Sequence, residues 1–249
     1  MFRKSLFILF LLALALTFSQ ASLAAPDEEP IFSDDFESGN LLAWSSKKTD
    51  KGDLAVTWPA ALEGAKGMRV RIDDTNRIYV TDDTPDREVS YTARFLFDPN
   101  AIYKHYDDDA NTIFLAEDMN PGITPVLRVI FYMNAEAIKP EGRQYSLTTF
   151  ARNDDQTWSK ARWRIINNQP HEIKIEWHAS EADGMNNGQL MFFIDSVLQE
   201  SLTGIDNDTL QIDRVRLGAM GAIKDTTSGT YFIDAFESFR GTSTGLLNP

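Results

Sequence analysis

The sequence predicts an all-β domain in which two antiparallel sheets pack face to face as a sandwich. Short segments of alternating apolar and polar residues recur along the chain after residue 30, and clusters of turn residues separate them. No segment keeps a helical period for long, apart from a possible turn at 40–44. Many short strands with this punctuation are typical of a sandwich or a barrel.

The strands follow from this alternation, because successive side chains of a strand point to opposite faces. We predict strands at 31–37, 54–58, 68–72, 77–81, 88–97, 112–116, 126–133, 144–151, 171–177, 189–195, 212–217 and 230–239. In the segment 88–97, one side carries Val89, Tyr91, Ala93, Phe95 and Phe97. We expect a single core that contains Phe95, Phe131, Ile175 and Phe192.

The first residues are typical of a secretory signal peptide. Arg3 and Lys4 precede an apolar run at 6–16, and small residues then lead to cleavage after Ala24 or Ala25. The alternative is a membrane anchor, but the run is shorter than the roughly 20 apolar residues needed to span a bilayer. The expected division is a signal peptide at 1–24, a linker at 25–30, one domain at 31–241 and a tail at 242–249.

The chain of 249 residues has a formal net charge of -13 and no cysteine. A surface this acidic repels nucleic acid and anionic lipid, and it suits divalent cations or neutral ligands. The absence of cysteine excludes disulfides, so the domain has to rely on its own core. We therefore expect a secreted protein, extracellular or periplasmic, that binds no nucleic acid and does not insert into a membrane after cleavage.

Several segments carry a family resemblance. The first is Asp-Asp-Phe-Glu-Ser-Gly at 34–39, and the others follow in order at 64–70, 171–177, 188–195, 212–218 and 229–239. The ordered set resembles the concanavalin A-like lectin/glucanase (laminin-G-like) jelly rolls of secreted bacterial proteins. The resemblance implies a two-sheet antiparallel jelly-roll sandwich with its first and last strands close together.

The resemblance also implies a structural calcium ion. Its ligands would be Asp234, with Asp35 or Glu37, and the backbone carbonyl of Gly67. Carboxylate and carbonyl oxygens are the ligands that Ca²⁺ prefers. The alternative is that these acidic residues merely cap exposed strand ends.

The predicted position of Asp234 also indicates that its carboxylate needs a partner. Alternation along the last strand places Asp234 on the same side as Phe232 and Phe236. A carboxylate buried between two phenylalanines is costly unless its charge is met. No basic residue stands at the neighbouring positions, so we expect either a cation or backbone N–H groups to meet it.

Other acidic strings fit known sites poorly. Asp107, Asp109 and Asn111 have the spacing that opens a calcium loop, but Thr112 stands where that loop needs glycine, so a solvated loop is the favoured interpretation. Glucanases of this fold carry Glu-x-Asp-x-x-Glu on one strand. Glu181 begins such a string, but it lacks the second glutamate, and no metal-hydrolase or nucleophile-elbow motif is present.

Exposed arginines supply the ligand-binding candidates. The side chains predicted to alternate outward are Arg94, Arg128, Tyr132, Arg214 and Arg216. If they share one sheet, they form a basic surface that could bind carboxylate or sulfate, and Trp158 and Trp163 offer flat platforms for a sugar. The alternative is a set of cross-strand salt bridges with Glu88, Glu172 and Glu176.

The leading hypothesis is a secreted, non-catalytic carbohydrate- or surface-binding module stabilised by calcium, with Arg94, Arg128, Tyr132 and Trp163 as ligand-binding residues. The alternative is a polysaccharide lyase of the same jelly-roll fold. The resemblance implies that such a lyase neutralises an acidic sugar with Arg or Gln and moves the proton with Tyr or His. Arg94, Arg128 and Tyr132 are then the candidates, although their sequence contexts do not match lyase motifs. A structural extracellular protein is the third hypothesis.

Overall fold

A computed structural model describes most of the predicted domain. The described residues are 30–100, 102–103, 110–139, 142–221 and 223–241. The predicted signal peptide, the tail at 242–249, the linker up to residue 29 and the acidic string at 107–109 lie outside them. Among the described residues, no helix is long and apolar enough to cross a membrane.

Strands are the main regular structure of the described chain. They are β1 (Phe32–Asp34), β2 (Ser46–Lys48), β3 (Leu54–Thr57), β4 (Gly67–Ile72), β5 (Ile78–Asp82), β6 (Ser90–Asp98), β7 (Ala110–Asp118), β8 (Thr124–Lys139), β9 (Gly142–Arg152), β10 (Trp158–Lys160), β11 (Arg164–Ile166), β12 (His171–His178), β13 (Gly188–Ile194), β14 (Val197–Ile205), β15 (Arg214–Met220) and β16 (Gly229–Arg240). Every predicted strand overlaps one of them. The possible helical turn at 40–44 is wrong, since these residues form bends, and the short 3-10 turns lie at Asp50–Gly52 and Trp58–Ala60.

The strands form two antiparallel sheets, which confirms the predicted sandwich. Sheet A runs in the order β14-β13-β12-β6-β16-β4-β3, and β1 also pairs with β16. Sheet B runs in the order β10-β9-β8-β7-β15-β5-β2, and β11 also pairs with β9. The first and last strands therefore lie side by side, with Phe32 opposite Ser238, as the family resemblance implies.

One apolar core fills the space between the sheets. Phe95, Phe131, Ile175 and Phe192 all belong to it, as predicted. Phe97 of sheet A meets Phe131 of sheet B edge to face, with ring centroids 4.9 Å apart. Burying each such side chain contributes about 1.5–3 kcal/mol, so the core stabilises the chain without disulfides.

Val89 departs from the predicted pattern. It is 55% exposed, whereas Tyr91, Ala93, Phe95 and Phe97 are buried as expected. The reason is that β6 begins at Ser90, so the alternation of the strand does not extend to Val89.

The last strand also changes register. Ala235 has a φ of 48°, and the pairing with β6 shifts between Asp234 and Glu237. A bulge of this kind reverses the faces of the residues that follow it. Phe236 therefore points into the core, whereas Phe232, on the other side of the bulge, is only partly buried. The expectation that Phe232, Asp234 and Phe236 share one side is wrong for this reason.

Candidate functional site

The outer face of sheet B carries most of the predicted ligand-binding residues. On β8, the alternate residues Leu127, Val129 and Phe131 are fully buried in the core. Arg128 and Tyr132 therefore point away from the core, as the sequence predicts. The structure brings both onto one surface.

Aromatic rings cover one end of this face. Tyr132 contacts Trp163, with ring centroids 5.3 Å apart, and Trp163 is 40% exposed. Phe150 of β9 meets Trp158 of β10 edge to face at 6.1 Å. These four rings are the platform of the site. Phe150 is the member that the sequence analysis did not single out, although alternation along β9 could have placed it outward beside the buried Ala151.

Three cationic side chains lie among these rings. The guanidinium carbon of Arg128 is 4.6 Å from the centroid of Phe150 and 4.4 Å from that of Trp158. Arg152 lies 5.0 Å from the same indole, and Lys160 Nζ is 5.3 Å from both Phe150 and Trp163. We call Arg128, Arg152 and Lys160, with the four platform rings, the cation–aromatic cluster.

The cations of this cluster have no ion-pair partner among the described residues, although the charge of Arg152 helps to lower the pKa of the exposed Asp155. No ion pair joins another described residue to Arg128, Arg152 or Lys160. The Nε groups of both arginines are buried and donate no hydrogen bond within the described structure. Burial and then the charge of Arg152 lower the pKa of Arg128 from its ordinary value. In a chain with a net charge of -13, a group of unpaired cations is suited to an anionic ligand.

A second charged group lies on the same face, across the middle of the sheet. Arg216 Nη1 is 3.3 Å from Glu117 Oε1, and the Arg216 guanidinium lies 5.0 Å from the Tyr79 ring centroid. Glu117 is only 3% exposed, and its other oxygen accepts no hydrogen bond from a described residue. Burial raises the pKa of Glu117, and the charges of Arg216 and Arg214 oppose that rise.

Arg94 does not belong to this surface. It lies on β6 in sheet A, where it forms an ion pair with Glu237 of the adjacent β16. The expectation that Arg94, Arg128 and Tyr132 act together is wrong, because the two arginines are on different sheets. Arg94 therefore forms a cross-strand salt bridge, as the alternative prediction has it. Its partner is Glu237, which was not among the predicted partners.

The predicted acidic metal ligands lie near the junction of the first and last strands. Asp35, Glu37 and Asp234 line one open cleft. Six of the ten lining residues are carboxylates, and none is basic. The three acidic side chains thus line the same cleft, but they are not among the described carboxylates whose oxygens all lie within 4.8 Å of one another.

Backbone N–H groups engage several oxygens of this cleft. Asp234 is fully buried, and its Oδ2 accepts hydrogen bonds from the N–H groups of Leu62 and Glu63 at 2.8 and 3.0 Å. Its Oδ1 accepts the N–H of Ala235 at 2.8 Å. Burial raises the pKa of Asp234, and these three hydrogen bonds act in the opposite direction. The sequence predicted that either a cation or backbone N–H groups stabilise the charge of Asp234. The N–H groups are present.

Glu37 and Gly67 complete this junction. Glu37 Oε1 accepts the N–H groups of Ala65 and Lys66 at 2.6 and 2.8 Å, which hold the pKa of Glu37 below its usual value. Gly67 packs against the 3-10 turn, where a Cβ would stand 2.1 Å from the Ala60 carbonyl oxygen. Glycine is required there because the two backbones approach so closely.

A second acidic group lies elsewhere, where the loops that follow β9 and β14 meet. The carboxylates of Asp154, Asp206 and Asp208 lie within 4.8 Å of one another. Asp154 Oδ1 also accepts a hydrogen bond from the Thr209 hydroxyl. This group has no signal in the sequence, because Asp154 is about fifty residues away from the other two and only the folded chain joins them.

Comparisons with known proteins support the fold and go no further. No protein-family model and no curated protein matches this chain. Among solved structures, the endo-β-1,4-glucuronan lyase of the fungus Trichoderma reesei aligns with a TM-score of 0.60 at 10% identity, over 86% of this chain and 96% of that chain. The cellulose-induced protein Cip1 aligns with a TM-score of 0.56 at 14% identity, over 84% of this chain and 97% of that chain.

The receptor-binding domain of botulinum neurotoxin type G is also similar. Its TM-score is 0.50 at 11% identity, over 78% of this chain and 42% of that chain. At identities this low, the likeness concerns the fold alone. Together with the two antiparallel sheets, it shows that this chain folds as a jelly-roll sandwich.

Proposed function

We propose that this chain is a secreted, non-catalytic carbohydrate-binding module that holds an acidic glycan on the outer face of sheet B. The observation that carries the proposal is the cation–aromatic cluster, in which Arg128, Arg152 and Lys160 lie unpaired among four aromatic rings. Aromatic rings give a flat apolar surface for a sugar face, and guanidinium groups bind carboxylate or sulfate through paired hydrogen bonds.

The neighbouring folds are compatible with this function. One is named a lyase of glucuronan and another a receptor-binding domain. Both names describe those proteins, and they support the proposal only as examples of what the fold can accommodate.

Titration calorimetry with soluble acidic and neutral polysaccharides tests the proposal. We expect acidic chains to bind and neutral chains to bind weakly. Trp163→Ala, which removes one ring of the Tyr132–Trp163 pair, should weaken binding while thermal melting stays unchanged. Failure of every acidic polysaccharide to bind the wild-type chain would refute this function.

A lyase is the second candidate, and one observation favours it. Arg216 lies beside both the Tyr79 ring and the Glu117 carboxylate. A cation that neutralises a uronate, next to a phenol able to carry a proton, is the pairing that β-elimination needs. By contrast, Arg128 and Tyr132 are four residues apart on one strand, about 13 Å along it. Release of unsaturated uronates that stops in Tyr79→Phe would favour the lyase over the binding module.

We also propose that calcium stabilises the strand junction. The support is the cleft of six carboxylates with no basic residue in its lining. Because N–H groups already engage Asp234, the free oxygens of Asp35 and Glu37 are the donors that fit an ion best.

A further inference from the structure

Two arginines of the cation–aromatic cluster converge on one indole ring. Arg128 lies on β8 and Arg152 on β9, and Trp158 of β10 is directly opposite Arg152. The guanidinium carbons of Arg128 and Arg152 are 4.4 and 5.0 Å from the centroid of the Trp158 ring. Burial and then the charge of Arg152 lower the pKa of Arg128. The two cations are therefore close enough to repel each other.

Aromatic packing holds this pair of like charges in place. Arg128 also lies over Phe150, 4.6 Å from the ring centroid, and Phe150 meets Trp158 edge to face. The faces of aromatic rings attract cations, but the rings carry no formal charge. They therefore orient both guanidinium groups and leave the two positive charges available to an anion.

The hydrogen-bond donors of both arginines are unused within the described part of the chain. The Nε groups of Arg128 and Arg152 are buried without a partner, and neither guanidinium group forms an ion pair or donates a hydrogen bond to a described residue. Asp155 is the acidic side chain whose pKa Arg152 helps to lower, but hydrogen bonds from the hydroxyl and N–H of Thr157, at 2.6 and 2.9 Å, are the larger cause. A ligand with several acceptor oxygens would satisfy the outer donors of both arginines.

Other arginines of sheet B differ in this respect. Arg164, Arg214 and Arg216 each have a carboxylate oxygen within 3.3 Å. A chain with a net charge of -13 has many acidic side chains, yet none of the described ones pairs with Arg128 or Arg152. Partly desolvated cations without a partner are unfavourable in the free protein, and an anionic ligand removes that penalty when it binds.

Lys160 adds a third cation at the same end of the sheet. It lies opposite Phe150, and its Nζ is 5.3 Å from the ring centroids of both Phe150 and Trp163. Arg128 lies opposite Phe150 on the other neighbouring strand. The positive charges are thus concentrated around adjoining rings and are not spread along the sheet. Such a concentration suits one compact anionic group with several oxygens.

We infer that Arg128 and Arg152 together bind one tetrahedral oxyanion of the glycan, so that its recognised acidic group is a sulfate ester and not a uronate carboxylate. This inference rests on the proposed function and names its ligand class. A carboxylate offers two oxygens in one plane, which a single guanidinium fork occupies. A sulfate ester keeps three free oxygens that point in different directions, so it can accept hydrogen bonds from two guanidinium groups and from Lys160. The sugar that carries it can then lie against the exposed Trp163.

Three hexasaccharides test the inference on the wild-type chain by titration calorimetry at fixed ionic strength. Unsulfated chondroitin and chondroitin 4-sulfate share one backbone and differ only in the sulfate esters. Oligogalacturonate matches the sulfated chain in net charge but carries carboxylates alone. We expect chondroitin 4-sulfate to bind at least about tenfold more tightly than either of the other chains, since only its sulfate engages both arginines.

Substitutions at Arg152 test the joint site. Arg152→Gln leaves one guanidinium, so affinity for chondroitin 4-sulfate should fall about tenfold while affinity for oligogalacturonate changes less. Arg152→Lys keeps the charge without the planar fork and should restore only part of the loss. Arg94→Gln, which removes the same charge from sheet A, is the matched control and should bind like the wild type. Circular dichroism and melting curves show that each variant is folded before it is titrated.

Sodium sulfate separates the oxyanion from the sugar. Exchanged for chloride at equal ionic strength, it should compete with chondroitin 4-sulfate for the wild-type chain and compete less for Arg152→Gln. If free sulfate binds and the sulfated hexasaccharide does not, the site accepts the ion alone and the inference is wrong.

The outcomes separate the two proposals. If none of the three hexasaccharides binds, the proposed function fails and the inference fails with it. If oligogalacturonate binds as tightly as chondroitin 4-sulfate, or if Arg152→Gln keeps the full preference for the sulfated chain, the two-arginine sulfate site is overturned while glycan binding stands.

Discussion

Arg128 and Trp158 form the centre of the cation–aromatic cluster, with the guanidinium carbon 4.4 Å from the centroid of the indole ring. The two residues are on different strands, and β9 lies between those strands. Arg152 approaches the same indole at 5.0 Å. One ring therefore orients two cations that would otherwise repel each other, and it keeps both on the outer face of sheet B.

Trp158→Ala should weaken binding of acidic glycans. The substitution removes the ring that orients Arg128 and Arg152, and a contact of this kind is worth about 0.5–2 kcal/mol, or roughly a 2- to 30-fold change in affinity. Titration calorimetry measures the change. Trp58→Ala is the control, because Trp58 is 80% exposed on a 3-10 turn outside the cluster. Equal losses in both variants would contradict a specific role for Trp158.

Gly67→Ala should destabilise the fold. The added Cβ would stand 2.1 Å from the Ala60 carbonyl oxygen and 3.0 Å from Asp234 Oδ2, so the 3-10 turn must move. We expect a loss of about 1–3 kcal/mol or more in the free energy of unfolding, measured by denaturant titration. Gly122→Ala is the matched control, since nothing lies within 4 Å of a Cβ there. If the Gly67→Ala protein is as stable as the wild type, the 3-10 turn moves at little cost in free energy and the prediction is wrong.

Calcium should raise the melting temperature if it occupies the cleft at the strand junction. An ion that binds only the folded chain stabilises it by about 2.7 kcal/mol at a hundredfold excess over Kd. A chelator should reverse the gain, and Asp35→Asn should abolish it while leaving the hydrogen bonds of Asp234 intact. Glu181→Gln, at an exposed position outside the cleft, is the control. Identical melting with chelator and with millimolar calcium would leave a junction held by hydrogen bonds alone.

Asp208→Asn should raise the melting temperature at neutral pH. Desolvation and the charge of Asp154 raise the pKa of Asp208. An acid whose pKa is higher in the folded state binds its proton more tightly there, so the folded state loses stability as the pH rises through that range. The asparagine removes this penalty. The gain should shrink at acidic pH, below the usual pKa near 3.8, where the wild-type carboxyl is protonated in both states.

Melting curves at several pH values check this prediction. Asp195→Asn is a poor control because Asp195 contacts His171, so Asp225→Asn, at an exposed position, is preferable. A lower melting temperature for Asp208→Asn at neutral pH would contradict simple repulsion within the Asp154, Asp206 and Asp208 group.

The sequence by itself determined most of the strands and most of their buried faces. Alternation fixes which side chains of a strand share a face, so Phe95, Phe131 and Ile175 could be assigned to the core before any fold was known. The same rule placed Arg128 and Tyr132 outward. Local chemistry decides these features, because they depend on residues two positions apart.

Short and polar strands were not predicted. β10 has only three residues, Trp158–Lys160, and β14 is largely exposed along its length. Such strands lack an apolar alternation of their own, and pairing with a neighbouring strand is what makes them strands. The bulge at Ala235 was missed for a similar reason, since a change of register depends on the partner strand.

Only the tertiary structure decided which outward residues meet. Arg94 and Arg128 look equivalent in sequence, yet they lie on β6 and β8 of opposite sheets. The cation–aromatic cluster and the Asp154, Asp206 and Asp208 group both join residues from different strands or loops. The sequence determines the face of each side chain, whereas strand order and register determine its neighbours, because long-range pairing is a property of the whole folded chain.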